Sequence, residues 1–213
     1  MRKKLSFRAF KLRGFPQWLG LVLAAGIIIA LGAYFAYQET RRDPITASTG
    51  ENLQQLDTRA DGSRILNMVA HAEPRDLPAV KFIDHAGNQL SLEDFRGKVV
   101  ALHFWATWCF PCREELPTVD ALQEELGGED ITFVPLSVDR DGAKLVSQYY
   151  ADNNIVNLPV YIDDGMNAAR ALLINGIPYT ILIDREGREF ARILGDRDWS
   201  TPEVAALMRK LIQ

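Results

Sequence analysis

Two cysteines stand three residues apart in Trp108-Cys109-Phe110-Pro111-Cys112, the only two in 213 residues. They sit where an apolar run, 99–105, gives way to apolar residues at helical spacing. A thiol at such a junction lies beside the first amide N–H groups of a helix, whose partial positive charge stabilises an anion by a few tenths to about 2 kcal/mol. The Cys109 thiol should therefore ionise below the free value of about 8.5, and the thiolate is the attacking species in disulfide exchange. Cys112, one turn on, faces the same side and can close a disulfide onto Cys109. As a mere staple the bridge would do little, since closing a four-residue loop gains only about 2 kcal/mol on the chain-entropy model. Redox work is the better use of the pair.

Other cysteine chemistries fail on particular residues. A haem attachment site needs His after the second cysteine, and Arg113 follows here. A zinc site needs two more ligands, and His71, His85 and His103 offer no spaced pair. A peroxiredoxin would carry Pro and Thr or Ser seven and three residues before its cysteine, where Leu102 and Ala106 stand. A copper-delivery protein of the Sco type has a longer cysteine spacing and a downstream histidine, and no histidine follows Cys112. No metal and no cofactor are expected. His71 and His85 read as solvated and inert.

Alternating strands and helices must position the pair. Segments 79–84 and 89–92 read as a hairpin around 85–88. Segment 99–105 reads as a strand buried on both faces, as in a parallel sheet. Leu116, Val119, Leu122 and Leu126 give 112–126 the stripe of a helix, stopped by Gly127-Gly128 and kinked at Pro117. Beyond it come a strand at 131–138, a helix at 142–153, a strand at 158–162 and a helix at 167–173. Strands at 179–184 and 189–194 follow, then a last helix capped by Thr201 with Pro202 at its first position. The fold class is α/β, with a central mixed sheet flanked by helices.

Composition bounds the rest. With 47% hydrophobic residues the chain is too apolar to be disordered. The first thirteen residues hold six basic side chains and no acid, leaving 18 basic against 28 acidic groups in the remainder. So acidic a body gives no footprint for nucleic acid. Residues 14–38 carry no charge, long enough for a helix across a hydrocarbon core of about 30 Å. The expected organisation is a cytoplasmic basic segment at 1–14, a transmembrane anchor at 15–37, a linker or stalk at 38–75 and the catalytic domain at 76–213. The basic residues place that domain outside the cytoplasm. A cleaved signal peptide is the alternative, but its apolar run is shorter.

Phe104-Trp105-Ala106-Thr107-Trp108-Cys109-x-Pro111-Cys112, with Gly176-Ile177-Pro178-Tyr179-Thr180 downstream, resembles the thioredoxin superfamily. Phe95-Arg96-Gly97-Lys98, Glu115-Leu116-Pro117 and the N-terminal apolar run narrow the resemblance to its TlpA branch, the membrane-anchored thiol–disulfide oxidoreductases related to ResA and CcmG. The resemblance covers residues 76–213 and implies a thioredoxin-like fold with a strand–helix insertion near 158–173. It implies that Cys109 attacks a partner's disulfide and Cys112 resolves the mixed disulfide. Pro178 resembles a cis-proline opposite the cysteines, presenting the Ile177 backbone to a partner's extended chain. Trp108, Phe110, Ile177 and Pro178 would form the substrate surface. Glu115 matches an acid that tunes the cysteines in ResA-like relatives; its alternative is a solvated helix carboxylate. His103 departs from the pattern, where relatives carry Asp or Asn. It would either shuttle a proton for Cys112 or be a satisfied core histidine.

The function implied is reduction of cysteine pairs in extracytoplasmic proteins of cytochrome c or respiratory-oxidase biogenesis. Electrons would come from a transmembrane thiol-reductant transporter of the DsbD or CcdA type. Two rivals remain open: a thiol oxidase or isomerase, and a metallochaperone holding Cu(I) through Cys109 and Cys112.

Overall fold

An unbroken apolar run predicts a strand covered on both faces, and Val99–Trp105 is one, with all seven residues buried. The computed structural model describes residues 27–34 and 50–212. Residues 27–34 are helical and exposed, and belong to a unit separate from residues 43–213. Among the described residues no helix is long and apolar enough to cross a membrane. The basic segment 1–14 and most of the expected anchor, 15–37, lie outside the described residues.

In chain order the larger unit runs α1 (Gly50–Leu56), β1 (Val69–Asp76), β2 (Lys81–Asp84), β3 (Gln89–Ser91), β4 (Val99–Trp105), α2 (Phe110–Leu126) and β5 (Ile131–Ser137). It continues with α3 (Gly142–Asp152), β6 (Tyr161–Ile162), α4 (Asn167–Ala171), β7 (Tyr179–Ile183), β8 (Arg188–Leu194) and α5 (Pro202–Leu211). The strands form one mixed sheet in the order β1-β8-β7-β4-β5-β6-β2-β3. Strand β4 lies parallel to β5 and antiparallel to β7, so it has neighbours on both sides as well as cover on both faces.

Local chemistry sets the boundaries. Asp84 Oδ1 accepts from the N–H groups of Ala86 and Asn88, which closes the β2–β3 turn around Gly87 at φ +84°. Helix α2 passes through Pro117 and ends where the Gly127 N–H donates back to Gln123. Thr201 Oγ1 accepts from the Val204 N–H to cap α5, with Pro202 first in the helix. Asp120 of α2 accepts from the backbone N–H groups of Asn157 and Leu158 and so pins the start of the insertion. Within that insertion the expected strand 158–162 shortens to β6, because Leu158 gives its N–H to Asp120 and Pro159 has none to give to a ladder.

The expected linker at 38–75 needs correction. From residue 50 it forms α1 and β1, and β1 adds an antiparallel edge strand to β8. Asp57, fully buried, organises the turn between them: its carboxylate accepts from Leu66 N at 2.6 Å, Met68 N at 2.7 Å and Arg64 Nε at 2.9 Å. His71, expected to be solvated, is nearly covered and pairs with the buried Glu189 of β8. The edge pairing explains both departures, because β1 meets β8 only in the folded chain.

Candidate active site

The active-site turn follows β4. Cys109 has extended backbone angles and occupies the N-cap of α2, with Pro111 in the first turn. Its sulfur accepts from the Cys112 backbone N–H at 3.3 Å, and its carbonyl accepts from Arg113 N at 3.1 Å. Pro111 lacks an N–H, so the amide of Cys112 is the donor left to face the sulfur. The helix-terminus effect expected at Cys109 therefore has a named donor.

Cys109 and Cys112 form a disulfide with their Cα atoms 5.3 Å apart. Cys109 keeps 5% of its surface exposed and Cys112 none, so an incoming group reaches Cys109 first. Trp108 and Phe110 flank it, 69% and 62% exposed, an unusual position for large aromatic rings. Arg113 lies over the Phe110 ring. Facing the pair, the Ile177 carbonyl oxygen lies 3.8 Å from Cys109 Sγ, and the Ile177–Pro178 bond is cis. The four residues expected to form the substrate surface thus surround one sulfur or adjoin it in the chain. An open cavity of about 600 Å³ continues from Trp108 between Arg140, Leu145 and Met166.

A residue the sequence reading passed over fixes this turn. Asp139, buried just beyond β5, accepts from Thr107 N at 2.8 Å, Thr107 Oγ1 at 2.7 Å and Ser137 Oγ at 2.8 Å. It latches the residue two before Cys109 to a neighbouring strand. Acid after a strand carries no signal of its own in sequence, and the partner that reveals it is 32 positions away.

The strand and helix on either side of the active-site turn carry two buried titratable groups, His103 on β4 and Glu115 on α2. Glu115 is 3% exposed, so it is not a solvated helix carboxylate. Burial raises its pKa to about 8, against the opposing pull of an N–H donated by Trp199. His103 is 1% exposed, and burial lowers its pKa to about 4, so the ring is neutral near pH 7. Its Nδ1 pairs with Thr180 Oγ1 at 2.9 Å, while Nε2 has no partner among the described residues. The ring is a core histidine, but only half satisfied. Among the described residues no cluster of three or more His, Cys, Asp or Glu side chains is placed to hold a metal ion.

A thioredoxin-like sheet carrying a Cys-x-x-Cys disulfide at a helix N-terminus, its first cysteine alone reaching the surface, defines a thiol–disulfide oxidoreductase, and comparison with known proteins agrees. The AhpC/TSA family matches residues 74–188, and the chain belongs to that family. It is 29% identical to the thiol–disulfide oxidoreductase ResA of Halalkalibacterium halodurans over 172 residues, 80% of this chain and 81% of that one. It is 30% identical to the thioredoxin-like protein YneN of Bacillus subtilis over 140 residues, 65% and 77% of the two chains. A thiol:disulfide interchange protein of the thioredoxin family from Chlorobium tepidum superposes with a TM-score of 0.56 at 27% identity, covering 68% of this chain and 100% of that one. Within the family, the chain is an oxidoreductase related to ResA and CcmG.

Proposed function

We propose that the chain is a membrane-anchored reductase working outside the cytoplasmic membrane on cysteine pairs of proteins in cytochrome c or respiratory-oxidase biogenesis. The observation that carries the chemistry is the Cys109 sulfur, capped by a helix amide, faced by the Ile177 carbonyl and placed in the chain between two exposed aromatic residues. In the reduced enzyme the Cys109 thiolate attacks one sulfur of a partner's disulfide. A Cys109–partner bond forms and the partner's other sulfur leaves as a thiolate, which takes up a proton. Cys112 then loses its proton and attacks Cys109 Sγ, breaking the mixed disulfide and releasing the partner's second thiol. Two electrons pass to the partner, and the enzyme is left with the Cys109–Cys112 disulfide. A transmembrane thiol transporter of the DsbD or CcdA type would restore the thiols. Glu115, buried one turn from Cys112, accepts the Cys112 proton in its ionised form, whose share grows as pH rises towards 8. The uncharged run 14–38 behind six basic residues supports the anchor and its orientation.

Trapping tests this reading. The full chain with Cys112→Ser, expressed in cells, should accumulate mixed disulfides with extracytoplasmic proteins that carry haem- or copper-site cysteine pairs. Capture of cytoplasmic proteins alone would overturn the location, and capture of none by a folded variant would overturn the reaction.

A further inference from the structure

The Glu115 carboxyl is enclosed but only half satisfied. Its Oε1 accepts from the indole N–H of Trp199, while Oε2 has no partner among the described residues. Trp199 is itself fully buried, in the segment 195–200 that joins β8 to α5. Its backbone N–H donates to Thr118 Oγ1 at 3.0 Å, and that hydroxyl donates to the Glu115 carbonyl at 2.7 Å. Phe133 and His103 meet its ring edge-on, with centroids 5.9 and 6.5 Å away. Backbone, hydroxyl and ring contacts leave the indole one orientation.

The same segment reaches the other side of the site. It begins at Gly195, whose φ of +81° suits a residue without Cβ and whose N–H donates to the Pro178 carbonyl at 3.0 Å. Arg197 donates to the carbonyls of Leu66 and Leu194 at 2.7 and 2.9 Å. Through Gly195, Trp199 and Arg197 the segment therefore touches the proline loop, the active-site helix and the N-terminal segment.

We propose that Trp199 is a positioning residue for the exchange reaction: its indole N–H occupies Glu115 Oε1 and leaves Oε2 as the oxygen free to take the Cys112 proton. In that step the Cys112 S–H bond breaks, an O–H bond forms at Oε2, and the thiolate attacks Cys109 Sγ. The segment 195–200 joins this carboxyl to the loop that meets the partner. The proposal rests on Glu115 as proton acceptor. Besides Cys112 on its own helix, the groups facing Glu115 are Asp196 and Arg197 from the same segment and His103 across the indole from β4. Asp196 opposes ionisation of the carboxyl, and Arg197 favours it through both its charge and its backbone N–H.

Trp199→Phe keeps the ring in the core and deletes the donor. The readout is the pH profile of the resolving step, measured on the full chain as release of thionitrobenzoate from its mixed disulfide with Cys109. A lost hydrogen bond to a carboxylate should move the inflection upward by about one pH unit. In a Glu115→Gln background the same change should have no further effect. An unmoved inflection, or an equal shift in both backgrounds, would overturn the proposal. An unchanged profile in Glu115→Gln alone would instead remove Glu115 from the reaction. A second measurement needs no variant. In the ¹⁵N-tryptophan spectrum of the reduced chain, the Trp199 indole signal should titrate with the midpoint of the resolving step. Trp105, whose buried indole N–H has no partner among the described residues, should stay flat. A Trp199 signal that does not titrate overturns the proposal even where Trp199→Phe fails to fold.

Discussion

At the scale of single residues, the two sulfurs differ in access and in what surrounds them. Cys109 meets solvent and a helix amide, whereas Cys112 is sealed inside the first turn. Iodoacetamide at neutral pH should therefore modify Cys109 of the reduced enzyme well before Cys112, as mass spectrometry of the peptides would read. Faster labelling of Cys112 would reverse nucleophile and resolving thiol. The buried acid and the buried imidazole also pull stability in opposite directions. Between its ordinary value of 4.5 and its folded value of about 8, Glu115 holds a proton that the unfolded chain has released, so stability falls as pH rises through that window. Between about 4 and 6.5, His103 is the reverse: the unfolded chain binds the extra proton, so stability is lost as pH falls towards 4. The two slopes offset each other from about 4.5 to 6.5, leaving Glu115 alone to weaken the fold above that range. Urea midpoints across pH should show Glu115→Gln flattening the alkaline limb and His103→Asn the acid limb. Parallel curves for either variant and the parent would contradict the burial argument for that residue.

At the scale of elements, signals that lie close together in the chain were readable and distant ones were not. The β4–α2 junction, the apolar stripe of α2 and the Thr201-Pro202 start of α5 are written in adjacent residues, and each helix or strand falls within a few positions of its expectation. Of the residues read from the cysteine motif and the Ile177-Pro178 pair, the Ile177 carbonyl lies against the Cys109 sulfur, and Trp108 and Phe110 adjoin it in the chain. Asp139, Trp199 and β1 gave no such signal, because each acts through a partner far along the chain, whereas the helical spacing of Leu53, Leu56 and Ala60 allows a short helix where α1 forms. Polar residues around 57–64 look like a linker until Asp57 gathers the Arg64 guanidinium and the backbone N–H groups of Leu66 and Met68. Asp57→Ala strands those N–H groups in the interior and should cost about 2–4 kcal/mol in urea unfolding. A change below 0.5 kcal/mol, roughly that of an ordinary surface substitution, would show the turn to be peripheral.

At the scale of the whole molecule, the sheet has two ends of unequal character. One closes in the β2–β3 hairpin; at the other, β1 covers β8. Strand β8 buries three apolar side chains, Phe190, Ala191 and Ile193, among charged neighbours, and its outer edge pairs with β1. A chain begun at residue 77, near the domain boundary that the motifs suggest, would leave that edge open. Unanswered backbone on a long strand is a template for another copy, so the shortened protein should self-associate edge to edge. Sedimentation velocity should then show concentration-dependent assemblies for residues 77–213 and a single slow species for residues 50–213. A clean monomer of the shorter chain would mean that β8 tolerates exposure. The opposite result would make β1 a guard against aggregation, quite apart from any part it takes in the chemistry of the cysteines.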